Sequence, residues 1–328
     1  MSFQKKLFIS IGLAAALYLG VSIWLGWREV IAALAGFQWA YLPVCLLLAF
    51  GNYLIRFLKW HYYLGILQIP LAAGLSLRVF LAGMVMTATP GKFGEVFKSY
   101  LLKNVNGAPL AKSAPIVLAE RLTDFIAFVL LALLGVTLLP NGPLVFAVSI
   151  GIIVVVLALA SWKRFVEGCI NSLERWPRIA PYAEKIHTAY ESTYRMIAPK
   201  PLVVATLISV VSWWFECLAF YLVILGFGQD VPLVSATFIY AFGTILGALL
   251  MTPGGIGPAE VSMGGLLVLL HNVSAEVAGP ATLIIRLCTL WFAVAVGLIV
   301  LLANAGVFEA TVHEIEEQDA HTPEGGPK

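Results

Sequence analysis

This sequence predicts an all-α, polytopic membrane protein, and three observations carry that expectation. Of the 328 residues, 60% are hydrophobic and 12% charged, with a mean hydropathy of +0.93. A water-soluble chain of this length could not bury so much apolar surface, so lipid must cover the rest. The apolar residues also fall into runs long enough to cross a bilayer. Two of these runs are cut by Gly/Pro breaks that carry charge. They are Thr89-Pro90-Gly91-Lys92-Phe93-Gly94-Glu95 and, 163 positions later (89 to 252), Thr252-Pro253-Gly254-Gly255-Ile256-Gly257-Pro258-Ala259-Glu260.

Taken in order, Lys5-Lys6 precede a first span, Leu7 to Leu25. That run is longer than a signal-peptide core and has no small-x-small cleavage site at its end. Span two is Trp39 to Arg56, with Lys59 and His61 beyond its end. An apolar stretch, Leu71 to Thr87, leads into the first break and then into a helix-permissive segment, Glu95 to Lys103. Lys92, Lys98 and Lys103 are too many lysines for a lipid-facing span. Span three is Ala114 to Leu139, the turn Pro140-Asn141-Gly142-Pro143 follows, and span four is Leu144 to Trp162.

Residues 163–200 form the long polar connection. Its basic residues are mixed with Trp176, Tyr182, Tyr190 and Tyr194, which fits either an amphipathic segment on an anionic leaflet or a solvated loop. Span five is Pro201 to Leu225. A second apolar stretch, Leu233 to Met251, leads to the second break and then to Val261–Leu270. The last span is Glu276 to Ala303. One transmembrane domain over 1–308 is expected, followed by a disordered acidic tail, 309–328.

Positive residues in short loops mark the cytoplasmic side. Lys5-Lys6, Arg56–Lys59 and 163–200 all fall inside only if 71–103 enters and leaves on one face. The same count for 233–270 puts the tail inside. About six spans plus two re-entrant hairpins result, although eight full spans satisfy the same parity. The expected location is the plasma (inner) membrane, with both termini cytoplasmic. Repeat one (about 39–139) and repeat two (about 201–303) are offset by three spans, an odd number, so they are inverted. Leu64-Gly65-Ile66-Leu67-Gln68-Ile69-Pro70 also matches Leu225-Gly226-Phe227-Gly228-Gln229-Asp230-Val231-Pro232. Inverted repeats with broken helices are an architecture of alternating-access carriers.

The candidate site follows from the charges. In each copy an arginine stands 26 positions after the glutamate, Arg121 after Glu95 (95 to 121) and Arg286 after Glu260 (260 to 286). Glu120, Asp124 and Glu216 also lie in apolar spans, Glu120 and Asp124 on one helical face. An unpaired charge near the bilayer centre costs on the order of 3 kcal/mol, so these groups must face the interior, paired or hydrated. Glu95–Arg121 and Glu260–Arg286 are the expected pairs, with Asp124 or Glu216 competing for either arginine. The pairs could be structural, gating, or both. Gly91, Gly94, Gly254, Gly255 and Gly257 break the helices, and the helix N-termini beyond them favour an anion, with Lys92 adding charge at the first. A phosphate-bearing headgroup is the natural ligand; a ligand-free packing kink is the plain alternative.

Other chemistry is not signalled. The cysteines (Cys45, Cys169, Cys217, Cys288) and the five histidines are scattered, so neither disulfides nor a metal site is expected. No catalytic grouping, nucleotide loop or cofactor fingerprint occurs, and a net charge of +2 without a basic face speaks against nucleic acid. Trp213-Trp214 could line a lipid path or simply pack. Arg56 and Arg78 are expected to reach headgroups or snorkel.

These motifs, Thr89-Pro90-Gly91 with Gly94-Glu95, Glu120-Arg121 with Asp124, and Pro253-Gly254-Gly255-Ile256-Gly257 with Glu260, resemble the lysylphosphatidylglycerol synthase transmembrane (flippase-like domain) family. That family is similar to the N-terminal membrane half of the multiple peptide resistance factor. The resemblance spans about residues 7–303, and Lys92 departs from the arginine or neutral residue expected there. It implies movement between leaflets of a polar-headed lipid, such as an anionic or aminoacylated phospholipid or an isoprenoid-linked glycan. In the resistance factor, aminoacyl transfer belongs to a separate soluble domain that this sequence is expected to lack, so a transporter rather than an enzyme is implied. An intramembrane headgroup transferase using Glu120 or Asp124 as base is one alternative. An accessory subunit docking a lipid-modifying enzyme through 163–200 is another.

Overall fold

The computed structural model of the chain describes residues 35–89, 93–138, 142–161, 166–168, 170, 172 and 180–308. The expected first span, the acidic tail, most of 163–179, and Pro90, Gly91 and Lys92 of the first break lie outside the described residues. Every described element is helical. In order these are α1 (Tyr41–Ile66), α2 (Ala73–Gly83), α3 (Phe97–Asn106), α4 (Leu110–Ser113), α5 (Pro115–Ala132), α6 (Gly142–Ser161), α7 (Ala183–Ile197), α8 (Pro199–Gly226), α9 (Leu233–Leu249), α10 (Pro258–His271), α11 (Ala275–Arg286) and α12 (Phe292–Ala303). Short 3₁₀ turns extend α2 (Met84–Met86), precede α3 (Phe93–Val96) and follow α5 (Leu133–Leu138).

Among the described residues, three helices are long and apolar enough to cross a membrane: α1, α8, and the run Ala275–Ala303 made by α11 and α12. Leu47, Leu58, Leu207, Val261 and Ile299 stand exposed on these helices and on α10, as side chains solvated by lipid must. Between α11 and α12 a five-residue π-helical turn, Leu287–Trp291, interrupts the usual hydrogen-bond ladder just after Arg286. The Tyr53 hydroxyl on α1 donates to the Thr289 carbonyl there at 2.5 Å.

One boundary differs from expectation. Span two does not stop at Arg56, because α1 continues to Ile66 with Lys59, Trp60 and Tyr63 on its buried face. Counting apolar residues ends a span at the first charges, but these charges are neutralised inside the protein. The helix ends where Gln68 turns left-handed (φ 53°) and the Ile69 amide donates to the Leu64 carbonyl at 3.0 Å. α8 ends the same way, with Gly228 at φ 71° and the Gln229 amide donating to the Ile224 carbonyl at 3.3 Å.

α8 packs along α1 and also touches α5 and α9. Asn52 in the first seam donates to the Ser212 carbonyl at 2.7 Å, the polar contact between helices that small interface residues permit. Each broken segment folds back as a hairpin, α2 against α3 and α9 against α10. The hairpins then cross over. The first lies on α12, where a methyl added to Gly297 would sit 2.3 Å from the Val85 nitrogen. The second lies on α5 and its 3₁₀ extension, where Gly135 meets Phe238. Their broken tips meet, since a methyl on Gly254 would come within 3.4 Å of the Ala88 Cα. Ala88, Ile256, Leu283, Leu290 and Val294 form a small buried plug at this junction.

Candidate functional site

α1 presents a buried row at helical spacing, Asn52, Arg56, Lys59 and Tyr63, toward α5 and α8. α5 answers with Glu120, Thr123 and Asp124, and the segment after the first break supplies Glu95 and Lys98. Ion pairs join these groups into a chain, and a main-chain carbonyl closes it into a ring. Lys59 Nζ lies 2.6 Å from Asp124 Oδ1, and Asp124 Oδ2 lies 3.1 Å from Arg121 Nη2. Arg121 Nη2 is 3.1 Å from Glu95 Oε2, which is 3.6 Å from Lys98 Nζ, which in turn is 2.5 Å from Glu120 Oε2. The Glu120 carbonyl returns to Lys59 Nζ at 3.5 Å. Arg56 adds a contact to Glu95 Oε1 at 3.7 Å and lies 5.0 Å from the Trp213 ring centroid.

All members are buried except Arg121, whose side chain is 24% exposed. Their number is what makes burial tolerable: a lone charge at membrane depth costs on the order of 3 kcal/mol, and removing one member of a buried pair typically costs about 3–5 kcal/mol. Four cations face three carboxylates in this contact set. Glu216 on α8 is a fourth buried carboxylate, and it accepts a hydrogen bond from Tyr240.

Lys98 is held in more than one way. Its ammonium lies 4.9 Å from the Trp60 ring centroid and 5.2 Å from that of Phe80, in cation–π range. Its stem passes over Gly83, where an added methyl would fall 2.1 Å from Lys98 Cγ, so only glycine leaves that path open. Beside it Arg56, Phe80, Gly83, Thr87, Glu95 and Lys98 line a narrow crevice with no room for a water molecule. The break itself is capped by Thr89, whose hydroxyl donates to the Met86 carbonyl at 2.7 Å and accepts from the Gly94 amide at 2.9 Å.

The second break is closed on itself. Glu260 Oε2 accepts from the Gly257 amide at 2.7 Å, and Arg286 Nε donates to Glu260 Oε1 at 2.7 Å. Arg286 also donates to the Gly254 carbonyl. Gly254 (φ 61°) and Gly257 (φ 91°) hold backbone that residues with side chains rarely adopt, and Gly255 packs directly on Gly247. The helix N-terminus that could attract an anion here is thus occupied by the protein's own glutamate.

Both 26-residue steps are direct contacts, and Asp124 shares Arg121 with Glu95. Gly91 and Lys92 lie outside the described residues. Arg56 is a correction: it neither snorkels nor reaches headgroups, because Glu95 and Trp213 hold it inside. Lys59 and Lys98 were not candidates; the sequence signal was the three-residue spacing of Arg56 and Lys59 beside Trp60. Trp213 packs on Phe128 with ring centroids 4.5 Å apart, whereas Trp214 is exposed. Among the described residues no group of three His, Cys, Asp or Glu side chains could hold a metal ion.

Residues 8–297 match the family described as the lysylphosphatidylglycerol synthase TM region. The chain belongs to this family. It is 27% identical over 331 residues to a UPF0104 membrane protein of Methanothermobacter thermautotrophicus, covering 92% of this chain and 95% of that one. A second UPF0104 membrane protein of the same organism is 27% identical over 235 residues, 62% of this chain and 67% of its own. As a member of the family the chain is a helical membrane protein, and the ion ring and the paired breaks lie within the matched span.

Proposed function

We propose that this protein carries a lipid with a phosphate-bearing headgroup between the two leaflets of a membrane. One observation carries the reading: a ring of buried ion pairs at membrane depth, beside the point where two broken helices meet. Buried charge of this density is costly, and within membranes it marks pathways for polar cargo. Arg121, the partly exposed member, is where the headgroup arrives. Its phosphate oxygens replace the Glu95 and Asp124 carboxylates on the guanidinium, while the acyl or isoprenoid tails stay in lipid. The crevice beside Lys98 has no room for a headgroup, so passage requires the hairpins to part.

The finer architecture is part of this reading: six spans and two re-entrant hairpins in an inverted repeat, in the plasma membrane, with both termini cytoplasmic. The matched left-handed ends of α1 and α8, the two glutamate–arginine pairs and the reciprocal hairpin packing support the repeat. Transport is favoured over headgroup transfer because Glu120 and Asp124, the alternative bases, are each held by a lysine at 2.5–2.6 Å.

The test is leaflet-resolved quenching of fluorescent phosphatidylglycerol in proteoliposomes. Wild type moves the lipid faster than protein-free vesicles, and Arg121→Ala slows it by about tenfold, the loss of one charge-assisted contact worth ~1.4 kcal/mol. No movement by wild type overturns the proposal; equal rates for wild type and variant overturn the role of Arg121.

A further inference from the structure

We infer that a second binding site, separate from the ion ring, lies beside α7 and takes a zwitterion, a molecule with an acid group and an ammonium on a short linker. A cavity of about 460 Å³ lies between α7, Lys112 of α4, Glu167 and Leu67, the residue that follows α1. Clefts of roughly 300–1,000 Å³ are the usual seats of small molecules. No member of the ion ring lines this one. α7 is firmly seated, packing on α4 and α5 with Ser192, Met196 and Ile197 buried. The cavity thus belongs to the end of the bundle where α1 stops and α8 starts, a level that both dissolved molecules and lipid headgroups reach.

Its charges are divided rather than paired off. The Lys112 ammonium makes no ion pair among the described residues. Arg195 contacts Glu191 only at Oε1, with Nε and Nη2 both at 3.3 Å, so Glu191 Oε2 is left without a partner among the described residues. Glu167 is a second carboxylate on the wall. Tyr190 stands near both: burial raises its pKa above the ordinary value, and the charges of Glu167, Tyr194 and Glu191 raise it further. The Tyr190 hydroxyl is closed off from solvent, so the ring is what this side chain presents to the cavity. Carboxylates beside an aromatic face recognise an ammonium, and the Lys112 ammonium recognises an acid. A molecule with one of these groups leaves the other half of the cavity unanswered. A zwitterion answers both.

The experiment is calorimetric titration of the detergent-purified full chain with soluble probes. Glycerophosphoethanolamine carries both charges, glycerophosphoglycerol lacks the ammonium, and ethanolamine lacks the acid. The zwitterion binds about tenfold or more tightly than either control, because each control forgoes a charge-assisted contact. Lys112→Ala and Glu191→Gln, at half-buried positions outside the ring, each remove that advantage. L-Alanine separates the two sources of this chemistry: binding of alanine marks a site for free amino acids, and binding of the glycerophospho zwitterion alone marks a site for a lipid headgroup. Binding of neither zwitterion, equal affinity for glycerophosphoethanolamine and its amine-free control, or an advantage that survives both substitutions overturns the inference. The transport reading stands or falls separately, since these titrations need no lipid movement.

Discussion

Lys59→Met removes the cation at the most enclosed point of the ring. The Lys59 ammonium is fully buried and donates to Asp124 at 2.6 Å, Ser209 at 2.7 Å and Thr123 at 3.3 Å. Breaking a buried pair from one side costs about 3–5 kcal/mol. Asp124 keeps two partners, Arg121 at 3.1 Å and the Ser209 hydroxyl at 2.9 Å, so the lower end, about 3 kcal/mol, applies. For a chain of 328 residues that corresponds to a fall in Tm of roughly 4–5 °C. Pairing it with Asp124→Leu removes both charges and leaves an apolar contact, which the energetics of buried pairs make close to neutral. The assay is thermal unfolding of the detergent-purified single and double variants, treated as a double-mutant cycle. The double variant recovers most of the loss, with a coupling energy of about 2 kcal/mol or more. A Lys59→Met protein as stable as wild type, or additive losses in the double variant, refutes the ring as an energetic unit.

Two further outcomes test the second break and its junction with the first. Arg286→Ala strands Glu260 and the Gly254 carbonyl and destabilises by about 3–5 kcal/mol. Arg286→Lys does not restore it, because a single ammonium lacks the fork that reaches carboxylate and carbonyl together; unfolding midpoints in detergent check both. Ala88→Cys with Ile256→Cys, in a background without the native cysteines, links the two tips across the plug when oxidised. Lipid movement stops on oxidation and returns on reduction, whereas a cross-linked protein working at the wild-type rate refutes separation of the tips as the transport step.

How much could be read from residues alone differs between the two breaks. The 26-position step from glutamate to arginine is a contact in both copies, because a broken helix followed by a reversed one returns its polar face to the same level. Helix positions were legible for the same reason, since apolar runs and Gly/Pro interruptions report lipid depth directly. Arg56, Lys59 and Lys98 escaped because hydropathy counts a charge as an edge, and only a partner brought from about 22 to 65 positions away makes it interior. Nor does the likeness of the two breaks in sequence reveal that they differ in chemistry. Arg286 and Glu260 are spent closing their own break, while Glu95 is shared among Arg56, Lys98 and Arg121. In the second break Gly254, Gly255 and Gly257 all take positive φ, which brings the backbone onto Glu260 and Arg286.

The crossover of the hairpins has a consequence during synthesis. Hairpin one, complete by Asn106, rests on α12, which starts at Phe292, so its seat emerges from the ribosome nearly 200 residues later. At ordinary elongation rates that interval is ~10–40 s. Through it Arg56, Lys59 and Lys98 have Glu95, Glu120 and Asp124 close by in the chain, but not the helix against which the hairpin is finally pressed. Of the contacts the hairpin finally makes, the Lys98–Glu120 pair with α5 is therefore available long before the seat on α12.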